Sequence, residues 1–255
     1  DTPVLTGQHL LARINALDTF LGEHQALWRP RPFTQRQLPW ETAHPRLAAW
    51  LRQRTLEDAE NSHNHPEQLD APAPFPALAA EATTLGAVGE LPIQAIAPAA
   101  HRLNVDVPGR KWQQIEAFAA CLRFTDTPRH WLDWCSGKGH LGRRLLQADQ
   151  QLTCLEYDPA LVSSGQALSQ HHHLPALHRQ QDVLADDAAQ HLSADLTPVA
   201  LHACGDLHVR LLQLASAAGC KQLALAPCCY NRITADRYQA VSAAGRASLL
   251  QLSID

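Results

Sequence analysis

Methionine occurs at none of the 255 positions of this sequence, an absence that a complete natural chain of this length would rarely show. The absence predicts that the sequence is a fragment or that residues are missing from it. The sequence also lacks an apolar run near the ~20 residues that a membrane-spanning helix needs, and it lacks a basic-then-apolar signal at its start. We therefore expect a cytoplasmic protein that makes no use of a membrane.

The sequence also lacks an excess of positive charge: it has 21 Lys and Arg but 25 Asp and Glu, for a formal charge of -4. Such a chain has no general basic field for nucleic acid, although a local basic patch stays open. Its seven cysteines are an odd number without a secretion signal, which argues against a disulfide framework.

Residues 1–107 are expected to form a mainly helical N-terminal region. Apolar residues recur at helical spacing within 5–27 and 41–60, and residues 77–100 are rich in Ala and Leu. Between them, the polar and proline-rich residues 61–76 predict a loop or linker.

Residues 108–255 change to an alternation of strands and helices, beginning with an amphipathic helix over 111–124. The pattern predicts a parallel sheet with helices on both faces, an α/β fold of Rossmann-like type. Its predicted strands are 130–135, 152–156, a segment just before 182, 199–203 and 222–226, and its predicted helices begin at 139, 159 and 207.

A glycine-rich turn follows the first predicted strand. Gly137-Lys138-Gly139-His140-Leu141-Gly142 matches G-x-G-x-x-G, a pattern that suits nicotinamide cofactors as well as S-adenosylmethionine (SAM). Glycine permits positive φ and close approach of a ligand, and the following helix start favours an anionic group. A phosphate-binding loop of Walker A type is disfavoured, because Gly139 follows Lys138 where Ser or Thr is required.

Acidic residues at the ends of three successive strands decide between the two cofactors. Asp133 would meet the methionine ammonium of SAM, and Glu156 would accept hydrogen bonds from the ribose hydroxyls. Asp182 would receive the adenine amine, with the backbone of Val183 facing the ring. Acids at all three ends fit SAM better than a nicotinamide dinucleotide.

Two further segments end the fourth and fifth predicted strands, and they are the expected acceptor side of the site. His202 and Cys204 would face cofactor or acceptor, with His202 as a candidate general base. Cys228, Tyr230 and Asn231 would shape the acceptor pocket. One alternative is that the Cys228 thiolate acts as a nucleophile. Another is a zinc site formed by Cys204, Cys228, Cys229 and His202. Because these residues lack paired CxxC spacing, no metal is expected.

These residues together resemble the class I SAM-dependent methyltransferases. The similarity is closest to a poorly characterised methyltransferase-domain family with G-S-G-K-G-H-L, H-A-C-G-D-L and C-C-Y-N segments, here 135–141, 202–207 and 228–231. The Lys111-Trp112 helix start is also similar, and the resemblance covers roughly 108–232. It implies SAM as cofactor, with contacts from Lys111, Ser136 and Tyr157 beside the residues above.

The resemblance also implies strands that this sequence does not provide. Class I sheets add a sixth and an antiparallel seventh strand, yet only about two dozen residues follow Asn231. We expect these last strands to be missing or the sheet to be abbreviated. The expected function is methyl transfer to a protein, an RNA or a small molecule; a NAD-dependent oxidoreductase and a non-catalytic binding module are the alternatives.

Overall fold

The computed structural model describes residues 4–63, 65–99, 103–105 and 107–253. Asn64 of the predicted linker, and residues 100–102 and 106 before the predicted domain boundary, lie outside these ranges. Contacts group the chain into two compact units: residues up to Leu91 together with Ala240–Gln251, and Pro92–Gln239 together with the residues from Leu252. The boundary between 107 and 108 stays a prediction.

The first unit is helical in its described part. Arg13, on the first helix, donates hydrogen bonds to the carbonyls of Thr84, Leu85 and Ala87 at 2.9, 3.0 and 2.7 Å. It thereby satisfies carbonyls at the end of another helix, which have no partners within that helix. The helices are α1 (Gly7–Glu23), α2 (Gln25–Trp28), α3 (Pro45–Arg52), α4 (Leu56–Ser62), α5 (Phe75–Gly86) and, late in the chain, α10 (Ala243–Ala247), with 3-10 turns at Pro39–Glu41 and Pro66–Gln68.

The second unit contains a five-stranded, fully parallel sheet in the order β3-β2-β1-β4-β5. Its strands are β1 (His130–Trp134), β2 (Gln151–Glu156), β3 (Ala176–Gln180), β4 (Leu196–Leu201) and β5 (Ala224–Ala226). Its helices are α6 (Gly109–Cys121), α7 (His140–Leu145), α8 (Pro159–His171) and α9 (Asp206–Ala217), with a 3-10 turn at Asp186–His191.

The central strand β1 is buried on both faces, and its side chains alternate between two cores. Leu132 and Trp134 belong to the core that includes Leu211 of α9. Trp131 belongs to the opposite core, which includes Ile115 of α6 and Leu141 of α7. The alternation places Asp133 on the α7 face, where it lies fully buried.

The predicted α/β class with a parallel Rossmann-like sheet and N-terminal helices is confirmed. Within the described residues the sheet has five strands, and an isolated antiparallel bridge joins Arg237 to Ser253. Among these residues no helix is both long and apolar enough to cross a bilayer.

Candidate functional site

The carboxyl ends of the five parallel strands lie at one edge of the sheet, and the strand order reverses between β1 and β4. Ligands of open α/β sheets bind at such an edge, beside the reversal point. The glycine-rich turn follows β1, Glu156 ends β2, and the segments at 202–205 and 227–231 follow β4 and β5. Chain topology alone therefore brings the predicted site segments to one edge.

The turn after β1 is built from left-handed backbone. Cys135, Gly137 and Gly139 have φ values of 56°, 56° and 75°. A Cβ at Gly139 would lie 2.6 Å from Cε1 of His178, so only glycine fits there, whereas a Cβ at Gly137 would meet no atom within 4 Å. The turn thus packs against the protein at Gly139 and leaves open space beside Gly137, where a ligand could approach the backbone.

Asp133 is 2% exposed, and its Oδ2 accepts a hydrogen bond of 2.9 Å from the backbone N–H of Gly142 in α7. Burial raises the pKa of this carboxyl to about 7, although the Gly142 hydrogen bond and the charges of Arg143 and Lys111 oppose the rise. Asp133 thus fixes the start of α7 to β1. Lys111 is exposed near the beginning of α6, and its charge acts on Asp133. The predicted contact of Asp133 with a ligand ammonium stays a prediction.

Glu156 closes the turn from the other side. Its Oε2 accepts from the backbone N–H of Gly137 at 2.8 Å, and its Oε1 accepts from that of Asp158 at 2.9 Å. The Gly137 N–H is therefore bonded by a carboxylate of the protein itself. Tyr157, the next residue, has its side chain turned largely to solvent, with 70% of the residue exposed.

Asp182 and Val183 follow β3 as predicted, with Asp182 exposed and Val183 buried. Oδ1 of Asp182 accepts from the backbone N–H of Leu184 at 2.9 Å. Burial raises the pKa of the Cys135 thiol to about 12, and the negative charges of Glu156, Asp133 and Asp182 add to that rise. The negative charges of all three acids therefore act on the thiol at the start of the glycine turn.

A buried polar network beneath the turn was not predicted from the sequence. Arg143 is 3% exposed and donates to the carbonyl of Lys138 at 2.6 Å, to Ser169 Oγ at 3.3 Å and to His140 Nδ1 at 3.1 Å. Ser169 Oγ lies 2.9 Å from His178 Nε2. Burial followed by the nearby Arg143 charge lowers the pKa of both His140 and His178 to about 4, so both rings are neutral at pH 7.

Lys138 faces the α8 side of the turn. Together with His140 and the α8 residues Ser164, Leu168 and His171 it lines a cavity of about 400 Å³. Its predicted role as a cofactor contact stays a prediction.

His202 ends the β4 segment in a left-handed conformation with φ of 65°, which non-glycine residues rarely adopt. Its backbone N–H donates to the carbonyl of Ala226 at 3.0 Å, and its Nε2 lies 3.0 Å from Oε1 of Gln114 on α6. Strained backbone of this kind clusters at functional sites. The residue is exposed and therefore accessible from solvent.

The β5 segment places the remaining predicted residues beside it. Tyr230 is 41% exposed and packs edge-on against Tyr238, with ring centroids 6.4 Å apart, and Asn231 is exposed. Cys228 is exposed, and its Sγ lies 2.9 Å from Sγ of the buried Cys204. Asp206 accepts hydrogen bonds from the backbone N–H and the Oγ1 hydroxyl of Thr234.

The residues at this edge suit the chemistry of SAM, a cationic nucleoside with an ammonium and a sulfonium group. Carboxylates end β1 and β2 and follow β3, which matches a ligand with positive charge and two ribose hydroxyls. Within the described residues, Ser136 Oγ in the turn is buried without a hydrogen bond, so a donor or acceptor of a ligand is its natural complement. The donor set of the site therefore fits this cofactor.

Comparison with known proteins agrees with the geometry. Residues 110–236, just under half of the chain, match the family model described as a methyltransferase domain. No curated protein matches the chain. The match agrees with the predicted methyltransferase domain.

Solved structures with weaker likeness include three bacterial proteins. TehB from Haemophilus influenzae is 12% identical with a TM-score of 0.31, covering 36% of this chain and 32% of TehB. A precorrin-6y C5,15-methyltransferase from Geobacter metallireducens is 12% identical with a TM-score of 0.36, covering 51% and 68%. A SAM-dependent methyltransferase from Clostridium acetobutylicum is 14% identical with a TM-score of 0.33, covering 46% and 48%. The chain thus spans about a third of the first and about half of the third.

Proposed function

We propose that this protein, whose residues 110–236 match a methyltransferase domain, transfers a methyl group from SAM to an acceptor bound beside the ends of β4 and β5. The observation that carries the proposal is the glycine turn between neighbouring strand ends, where Asp133 and Glu156 bond the backbone of Gly142 and Gly137 and Asp182 follows the next strand. When bound, SAM supplies an electrophilic methyl group on its sulfonium.

Each strand end takes one part of the cofactor in this proposal. The turn residues Ser136, Gly137, Lys138 and Gly139 face the methionine carboxylate, together with Lys111. Asp133 sets its negative charge beside the ammonium while one oxygen holds Gly142. Glu156 and Tyr157 take the ribose, and Asp182 and Val183 take the adenine.

The acceptor side is assigned to the segments after β4 and β5. His202 and Cys204 lie between cofactor and acceptor, while Cys228, Tyr230 and Asn231 line the acceptor pocket. Methyl transfer is an in-line displacement, so much of the rate acceleration comes from placing the acceptor atom. His202, accessible and bonded to Gln114, can take a proton from an acceptor that must lose one.

Calorimetric titration of the chain with SAM, with its demethylated product and with NAD tests the cofactor assignment. We expect binding of the first two and none of NAD. Glu156→Ala removes the ribose acceptor and the Gly137 contact, so we expect its SAM affinity to fall by about tenfold to a hundredfold. Glu57→Ala, an exposed acid on α4, is the matched control. NAD binding, or equal SAM affinity in both variants, would overturn the assignment.

The acceptor class is open to a direct experiment. Radiolabelled SAM is incubated with the protein and fractionated cell extract, and the label is followed into protein, RNA and small-molecule fractions. We place the protein in the cytoplasm, so the cytoplasmic fraction is tested first. Label that enters no fraction above a control without protein would favour the non-catalytic alternative.

A further inference from the structure

Three cysteine thiols from two different loops meet at the acceptor side of the sheet. Cys204 follows β4, and the neighbours Cys228 and Cys229 follow β5. The Sγ atoms of Cys204 and Cys228 are 2.9 Å apart, and those of Cys228 and Cys229 are 3.5 Å apart. All three sulfurs lie within 4.8 Å of one another. The separation of 24 positions between Cys204 and Cys228 hides this cluster from a spacing pattern.

The backbone holds the two loops together independently of the thiols. Gly205 donates its N–H to the carbonyl of Cys229 at 2.9 Å, and Asp206 donates to the carbonyl of Arg232 at 3.0 Å. Gly205 has a φ of 57°, and a Cβ there would lie 1.8 Å from the Arg232 carbonyl oxygen. Glycine at this position therefore allows the close approach that brings Cys204 to the cysteine pair.

The short separations limit the charge that the cluster can carry by itself. Three thiolates this close repel each other unless a cation lies between them.

We propose that Cys204, Cys228 and Cys229 form a three-thiolate zinc site whose fourth position opens to solvent at the exposed Cys228. Thiolates are soft ligands that select zinc among the common divalent ions. Tetrahedral coordination with Zn–S near 2.3 Å places sulfurs about 3.8 Å apart, within the range that this cluster already spans. Three protein ligands with one open position are typical of catalytic rather than structural zinc.

The site borders the candidate cofactor pocket. Cys204 follows β4, which pairs with β1, and β1 leads directly into the glycine turn. A zinc ion there would add positive charge to the acceptor side of the proposed methyltransferase site. It would also hold the β4 and β5 loops at a fixed separation.

The test measures metal directly and does not depend on methyl transfer. The whole chain is produced under reducing conditions with zinc, dialysed, and its zinc content determined by elemental analysis. We expect one zinc ion per chain. Replacement by Co²⁺ should give the intense d–d absorption of tetrahedral coordination and a thiolate charge-transfer band.

Single serine variants locate the site. Cys204→Ser, Cys228→Ser and Cys229→Ser are each expected to weaken zinc affinity by about a hundredfold, measured by competition with a chromophoric chelator. Cys220→Ser is the control, because its thiol contacts the Ser193 carbonyl away from the cluster. Circular dichroism checks the fold of each variant, and the exposed Cys228 is the position that best tolerates replacement.

Three results would overturn the proposal. The first is wild-type protein that retains no zinc and shows no cobalt absorption. The second is loss of zinc from Cys220→Ser as large as that from the three cluster variants. The third is a Cys204–Cys228 disulfide that persists, by intact mass, in protein prepared with zinc under these reducing conditions, because it would replace the metal site with a redox pair.

Discussion

Asp133 combines a buried carboxyl, a structural hydrogen bond and a place beside the proposed ammonium site. Burial raises the pKa of Asp133 from 3.8 to about 7, so the free energy of unfolding falls as the pH rises between these values and stays low above pH 7. We expect Asp133→Asn to raise the free energy of unfolding at alkaline pH by about 1–3 kcal/mol, because the amide carries no charge. Urea unfolding measures this change.

The same substitution has a second expected effect, on ligand affinity. Removing the negative charge should weaken SAM binding by about tenfold or more, since hydrogen bonds to charged groups are the stronger ones. Calorimetry on the purified variant gives the affinity. Raised stability with unchanged affinity would restrict Asp133 to holding Gly142.

Gly165 of α8 makes the close approach to the polar network possible. A Cβ there would lie 2.5 Å from His178 Nδ1 and 3.0 Å from the Lys138 carbonyl. We expect Gly165→Ala to destabilise the protein by about 1–3 kcal/mol, as overpacking of a core does. Chemical denaturation tests this, with Gly109→Ala as control because a Cβ there meets nothing within 4 Å. Equal stabilities would mean that His178 moves aside freely.

At the residue scale, the sequence predicts positions better than contacts. The acids at 133, 156 and 182 stand where expected, yet two of them bond backbone N–H groups of the protein itself. The Arg143 network was not predicted, and the cysteine cluster was only an alternative with His202 as a fourth ligand. Each joins residues that are distant in sequence, and neither carries a local spacing signal.

The elements α7, α8 and β3 share the network of Arg143, His140, Ser169 and His178, and this predicts a pH dependence of stability. Both histidines have a folded pKa near 4 against an ordinary value of 6.5. The unfolded chain therefore binds protons first as the pH falls from 6.5 to 4, and stability is lost across that window. Asp133 makes stability change with pH in the opposite direction, but it is one group against two histidines.

Urea unfolding across that window measures the effect. His178→Gln keeps a partner for Ser169 and removes one titrating ring, so we expect a flatter dependence on pH between 6.5 and 4. A slope equal to that of the wild type would place the proton uptake elsewhere.

At the element scale, the alternating pattern gave strands and helices within a few residues of their observed ends. The largest shift of a strand start is in β4, expected over 199–203 and observed as Leu196–Leu201, while β5 is expected over 222–226 and observed as Ala224–Ala226. Gln222, before β5, donates from its side-chain Nε2 to the Asp126 carbonyl at 2.7 Å. Such a contact between distant residues has no signal in apolar periodicity.

For the whole molecule, charge sets an expectation about acceptors. A formal charge of -4 gives no general attraction to phosphates. We expect unspecific RNA to bind more weakly than the roughly 10⁻⁶–10⁻⁴ M typical of basic binding proteins at physiological salt. Fluorescence anisotropy with a labelled oligonucleotide measures this. Tighter binding that weakens steeply with salt would reveal a basic patch and favour RNA as acceptor.

At this scale the fold class could be predicted from the alternation of strands and helices in the sequence. The methyltransferase domain could be predicted because the segments at 135–141, 202–207 and 228–231 occur in the same chain in this order. The grouping of Ala240–Gln251 with the N-terminal helices could not. That pairing is set by contacts such as the one between Ser248 and Asp18, which lie far apart along the chain.

The bonds from Asp133 and Glu156 to the glycine turn have a kinetic consequence. They hold the turn in one conformation before a ligand binds, so binding costs less conformational entropy. In the proposed function, association with the methyl donor would then be limited by diffusional encounter rather than by rearrangement of the turn.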